Sequence, residues 1–398
     1  MSDKFKSDIK YLILNSKHPL VFKNYMKWAL LNWSLEDWKK NIGNEKMTFR
    51  SGLYQSTVEP QWERKSKLFN ETFDFFIEQS LTNSTEWFYF DYKYLNDCLK
   101  EVNDLRNEIH WDPLGFPEIK SEDCTIWIGS KGAHTPCHYD SYGCNLVYQI
   151  YGKKLWMLFS PEENLRPSRI PYEESSVYSK LNFFSPNLEN FRSISGKCKK
   201  VVLTPGDVLL VPNKWWHYVE NLETSISINV WLPLPQDDEE RLKEAVVQFF
   251  VKQISESSNS TVNNLLLNPN MEDIILQANG SSVFLDMINS CKSSCQRKEL
   301  QAKKAKFNTE AAGKADTPSL PEIFQKYSSF IEVIRELPKE DFYSFMESQK
   351  NRFRGSIIQK EAVSLSSSDE NVIEIFNVLT DMEVIDLIKN KILEKKSA

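Results

Sequence analysis

No stretch of about 18 consecutive apolar residues occurs in this 398-residue chain, so a membrane-spanning helix is not expected. Leu12-Ile13-Leu14 is too short, and too closely flanked by charge, for the core of a signal peptide. A soluble protein of the cytoplasm, or of cytoplasm and nucleus, is expected. The seven cysteines, at 98, 124, 137, 144, 198, 291 and 295, include no Cys-x-x-Cys pair, which supports neither a disulfide framework nor a structural zinc finger. A net charge of -6 gives no general attraction for polyanions, and no internal repeat is present. What the chain does have is 13% aromatic residues, which favours a packed globule over a disordered chain. Its length allows two domains, or one domain with a large extension.

The texture changes along the chain. Near the start, Ser34 and Asp37 have the spacing of a helix capping box. Residues 65–82 read as helical, with Phe69, Phe73, Phe76 and Ile77 near one stripe. From 124 to 232 come eight short apolar or alternating runs, 124–129, 134–140, 145–151, 154–159, 199–203, 207–212, 216–220 and 224–232. Strands of that length separated by turn residues predict a sandwich or barrel, and the count fits a jelly roll. In the last run Ile226, Ile228 and Val230 alternate with Ser227, Asn229 and Trp231, giving one oily and one mostly polar face. The 160–198 excursion is long enough for a lid or binding loop, or for plain insertion. After Pro235 helical spacing returns at Leu242–Ile254, Phe330–Leu337 and Val372–Met382. Residues 292–318, with seven basic side chains against three acidic ones and few large apolar residues, read as a flexible linker. The expected division is an N-terminal α/β segment 1–119, a β core 120–236, a helical extension 237–291, the basic linker 292–318 and a C-terminal helical region 319–398.

Two of the five histidines carry the chemistry. In Thr135-Pro-Cys-His138-Tyr-Asp140, His138 and Asp140 are two apart, so on a strand both leave the same face and can meet one cation. Pro205-Gly-Asp207 leads into Trp215-Trp216-His217, and His217, 79 residues beyond His138, must arrive from a distant strand. Two imidazoles and one carboxylate on one side of a metal leave the opposite positions open, the arrangement of non-haem Fe(II) oxygenases. Zinc fits these ligands too, and residue types alone do not choose between them.

The ordered set His138-x-Asp140, Asn145, Gly152-x-Lys154-x-Trp156, Pro205-Gly-Asp207 and His217 resembles the JmjC family of iron- and 2-oxoglutarate-dependent oxygenases over about residues 85–235. The resemblance implies a double-stranded β-helix of the cupin type, mainly β, with a mixed N-terminal segment and a C-terminal helical extension. It implies Fe(II), 2-oxoglutarate and O2, with His138, Asp140 and His217 as metal ligands. It also implies that Lys154 meets the far carboxylate of 2-oxoglutarate and that Thr135 donates a hydroxyl to it. Strand parity does not separate Lys154 from Lys153, because both faces of 154–159 are apolar. Tyr89, within Trp87-Phe-Tyr89-Phe, resembles a further carboxylate contact, although core packing explains it as well. Asn145 and Asn229 match positions lining the pocket. The reader modules of chromatin-acting members cannot be built from these cysteines.

Pro19-Leu-Val-Phe22, Phe49-Arg-Ser-Gly52 and the tail resemble the hydroxylase-type members, in particular the branch associated with small heat-shock proteins. This implies hydroxylation of a protein side chain, with a small heat-shock protein as a binding partner and a homodimer through helices of 369–394. A tRNA-base hydroxylase, drawing on the basic 292–314 stretch, and a catalytically silent scaffold are the alternatives.

Overall fold

The computed structural model describes residues 3–82, 85–167, 176–194, 197–266, 280, 282–310, 319–353 and 365–394, with side chains left aside for 300–310. The strands are β1 (Leu20–Phe22), β2 (Met47–Leu53), β3 (Lys67–Glu71), β4 (Glu86–Tyr94), β5 (Thr125–Gly129), β6 (His134–Asp140), β7 (Cys144–Tyr151), β8 (Lys154–Phe159), β9 (Ser176–Tyr178), β10 (Cys198–Leu203), β11 (Val208–Val211), β12 (Trp216–Asn221), β13 (Ser225–Leu232) and β14 (Ile331–Val333). Helices α1 (Asp3–Asn15), α2 (Leu35–Ile42), α3 (Phe73–Thr82) and α4 (Asn103–Glu108) precede the core. Helices α5 (Asp237–Ser257), α6 (Ser260–Leu266), α7 (Ser282–Glu310), α8 (Leu320–Lys326), α9 (Lys339–Asn351), α10 (Ser367–Leu379) and α11 (Met382–Glu394) follow it.

Two antiparallel sheets face each other, as the eight runs predicted. The larger has the order β14-β1-β11-β7-β13-β5-β4-β2-β3 and the smaller β10-β8-β12-β6-β9. The alternation in β13 does what its chemistry requires. Ile226, Ile228 and Val230 join the outer core with Ile126, Ile128, Leu146 and Tyr148, against Trp28 and α1 residues Ile9 and Leu12. Ser227, Asn229 and Trp231 line the space between the sheets. This is a jelly-roll core with a helical extension. The Ser34–Asp37 capping box forms as expected, with Ser34 Oγ accepting from the Asp37 amide.

Three expectations differ from the structure. The 65–82 helix begins only at Phe73, because residues 67–71 pair with β2 as β3 and Phe69 stacks on Phe49, ring centroids 5.8 Å apart. The helical spacing at 330–337 gives way to β14, which pairs with β1 (Leu20 opposite Val333), while Phe330 stacks on Tyr25 at 4.8 Å. In both places a partner strand with unpaired backbone groups outweighs local propensity. The 292–318 linker is helical as far as Glu310, as part of α7. Lys, Ala, Gln and Glu are good helix formers even where large apolar residues are scarce, and 311–318 lie outside the described residues. The 160–198 excursion contributes β9, which pairs with β6 (Tyr178 opposite His138) and so belongs to the smaller sheet; 168–175 and 195–196 are not described.

Behind the core, α5 carries α10 and α11 on its apolar face through Val246, Val251, Phe376 and Ile385. Among the described residues no helix is long and apolar enough to cross a membrane.

Candidate metal centre and its pocket

β6 and β12 lie side by side with His217 directly opposite His138. The two imidazoles sit 4.1 Å apart, ring centre to ring centre. Asp140, two positions along β6, leaves the same face, with Oδ1 3.9 Å from His138 Nε2. One ligand atom from each of the three residues falls within 4.8 Å of the others.

Local hydrogen bonds settle which ring nitrogen is available. His138 Nδ1 lies 2.9 Å from the Pro136 carbonyl and His217 Nδ1 2.9 Å from the Trp215 carbonyl. A carbonyl only accepts, so each Nδ1 carries the proton and each Nε2 presents a lone pair to the shared space. Burial, helped by the neighbouring His217 and opposed by Asp140, pushes the His138 pKa down to about 3. That imidazole is therefore neutral and able to bind a metal at physiological pH. Asp140 is fixed from outside, with Trp231 Nε1 donating to Oδ2 at 2.9 Å and Ser176 Oγ to Oδ1 at 3.4 Å.

His138 and His217 border a cavity between the two sheets, and Asp140 lines the cleft that adjoins it. Lys154 enters the cavity from the start of β8, while Lys153 stays exposed at the turn. This turn needs Gly152: φ is 63°, and a Cβ there would run into the Thr224 carbonyl. Lys154 Nζ donates to Ser227 Oγ at 2.8 Å and to Tyr89 Oη at 3.4 Å. Among the described residues no carboxylate pairs with it. Burial pushes its pKa down to about 7, with partial relief from the field of Asp91. Asp91 itself is committed to Arg50, at 2.7 Å. A buried ammonium held only by hydroxyls lacks an anion.

Tyr89 is fully buried beside Lys154 and hydrogen-bonds with Thr135, and burial and Asp91 hold its phenol far above the usual range. Asn229 Nδ2 donates to Asn145 Oδ1 at 2.8 Å, and Trp127 Nε1 donates to Asn229 Oδ1 at 2.8 Å. All eight residues singled out from the sequence thus meet at one place: Tyr89, Thr135, His138, Asn145, Lys154, His217 and Asn229 border the cavity, and Asp140 lies at its edge. Sequence reasoning missed Ser227 as the lysine's partner and Trp231 as the carboxylate's, although both stood on the polar face of β13. Trp127 gave no signal at all.

The donor set fits two bound groups. Two neutral Nε2 atoms and a carboxylate suit a divalent metal of borderline character, and the unpaired Lys154 with the Tyr89 and Thr135 hydroxyls suits the carboxylate of a small dianion.

The model of the cupin-like domain matches residues 7–237. The chain is 35% identical over 322 residues to HSPB1-associated protein 1 of Rattus norvegicus, covering 76% of this chain and 67% of that protein. It is 37% identical over 277 residues to HSPB1-associated protein 1 of Homo sapiens, covering 65% of this chain and 57% of that one. A more distant relative is lysine-specific demethylase 8 of Danio rerio, 28% identical over 239 residues, 58% of this chain and 55% of that protein.

Proposed function

Since the chain belongs to the cupin-like, JmjC-type domain family, we propose that it is an Fe(II)- and 2-oxoglutarate-dependent oxygenase that hydroxylates a protein side chain. The observation that carries this reading is the pairing of two features in one cavity: a His-Asp-His face with both Nε2 atoms free, and a buried cation without a counter-ion. A structural zinc site would account for the first and leave the second unexplained.

His138, Asp140 and His217 would hold the iron, and Lys154, Tyr89 and Thr135 the far carboxylate of 2-oxoglutarate. Bound together, iron, 2-oxoglutarate and O2 supply the oxidising power that converts C–H to C–OH, with 2-oxoglutarate leaving as succinate and CO2. The protein's own part is positional. The Pro136 and Trp215 carbonyls fix the imidazole tautomers, and Trp231 holds the Asp140 carboxylate. Lys154 would neutralise part of the dianion in a space that Val147, Trp156 and Val219 line with apolar surface. Asn145 and Asn229 lock each other's amides, which presents fixed dipoles to the pocket.

The name of the rat and human relatives supports a small heat-shock protein as a partner of this chain. The experiment is succinate formation from 2-oxoglutarate with Fe(II), ascorbate and O2. The native protein should turn over and His138→Ala should not; equal succinate from both would remove the assignment, and none from either would favour a silent scaffold.

A further inference from the structure

Within the helical extension, α10 and α11 are joined by Thr380 and Asp381 alone and form a hairpin. One face of it is taken: Phe376, 3% exposed, and Ile385, fully buried, pack with Val246 and Val251 of α5. The other face leaves large apolar side chains in water. Ile375, Val378 and Leu387 are 57%, 58% and 59% exposed. Val378 also joins Ile373 and Val384 in a groove lined by both helices. An apolar groove with a polar rim is the usual form of a docking site.

The rim carries charge of one sign. Glu370, Glu374 and Asp381 line the groove, and among the described residues no lysine or arginine does. Local structure accounts for two of the three carboxylates. Glu370 stands in the first turn of α10, and Asp381 accepts from the Glu383 amide at 2.9 Å at the start of α11. Such roles order a carboxylate without cancelling its charge. Glu374 has no role of this kind and, as the i+4 neighbour of Glu370, adds repulsion within the helix. The lysines of the hairpin are engaged elsewhere, Lys389 with Glu239 at 2.9 Å and Lys391 with Glu394 at 2.8 Å. From Leu365 to Ile388 the sequence has six acidic residues and no lysine or arginine. A second copy docking by this face, the homodimer expected through 369–394, would set carboxylates against carboxylates in any orientation. A nucleic acid or an anionic membrane meets the same repulsion.

We propose that the groove between α10 and α11 docks a basic amphipathic helix of a partner protein. An apolar stripe on that helix covers Ile373, Val378 and Val384, and lysines or arginines along its flanks meet Glu370, Glu374 and Asp381. The inference goes beyond the oxygenase reading and holds whether or not the metal centre turns over.

Fluorescence polarisation with the full chain tests it. The probe is a labelled peptide of the repeated unit Leu-Lys-Lys-Leu-Leu-Lys-Leu, which gathers leucine on one helix face and lysine on the other. The native chain should bind it. Glu370→Lys combined with Glu374→Lys should weaken binding about tenfold, and Val378→Ser about threefold to fivefold. Glu36→Lys combined with Glu78→Lys changes the net charge equally at exposed positions of α2 and α3 and should leave binding unchanged. Circular dichroism and thermal unfolding report that each variant remains folded. No binding by the native chain, equal losses from the groove pair and the α2–α3 pair, or equal binding of a peptide with serine in place of leucine would overturn the proposal. A native dimer in sedimentation that Val378→Ser dissociates would overturn it in favour of a second copy.

Discussion

Lys154 shows how one side chain ties stability to binding. Its pKa in the folded protein is about 7, against an ordinary 10.5. Between those values the unfolded chain holds a proton that the folded chain has shed, so this group makes stability rise with pH across that window. Binding of an anion has the opposite sign, because the anion needs the ammonium. We expect the affinity for 2-oxoglutarate, measured anaerobically by calorimetry with Mn(II) present, to fall steadily above about pH 7 in the native chain. In Lys154→Met it should be weaker by roughly 30- to 100-fold, the worth of a charge-assisted contact, and lose that pH dependence, while thermal stability without ligand at neutral pH rises. Trp231→Phe keeps an aromatic ring but removes the 2.9 Å hydrogen bond to Asp140; metal affinity by Co(II) titration should drop about tenfold. At this scale the sequence was most readable where geometry is forced: His138 and Asp140 share a face because strands have a period of two. It was least readable where neighbours arrive from elsewhere. The choice of Lys154 over Lys153 depends on the Gly152 turn, and Ser227 becomes the lysine's partner only through the packing of β13 against β8 across the pocket.

Among elements, those with a clear local pattern were the ones foreseen. The eight core strands and the Ser34–Asp37 cap fall where alternation and capping chemistry put them. β3 and β14 did not, because their own sequence has no strand alternation and only the partner decides: Phe69 answers Phe49, and Ile331–Val333 answers β1. No local pattern carries that information, and the helical spacing in both segments pointed the other way. The turn between β7 and β8 is the element on which the pocket depends most directly. Gly152→Ala should cost about 1–3 kcal/mol in urea unfolding and should also weaken 2-oxoglutarate binding, since Lys154 is only two residues away. Lost stability with unchanged binding would show that the turn and the lysine are mechanically independent.

For the whole molecule, the C-terminal region folds back onto the core. β14 extends the larger sheet, Phe342 and Met346 of α9 enter the core behind the smaller one, and Arg352 reaches Glu220 near the end of β12. Glu220 is 2% exposed and also accepts from Tyr218 and Gln349. Arg352→Ala strands this carboxylate and should destabilise the protein by about 3–5 kcal/mol in chemical denaturation, whereas the double change Arg352→Met with Glu220→Met should recover much of the loss. The clasp of β1 between β11 and β14 has a consequence for biogenesis. A ribosome making this protein must release some 350 residues before the last strand and its supporting helix can close over the first. Until then the nascent barrel presents an uncovered edge, and pairings this distant in sequence form slowly. The newborn chain thus passes through an interval in which its first strand lacks one of the two neighbours it has in the finished sheet.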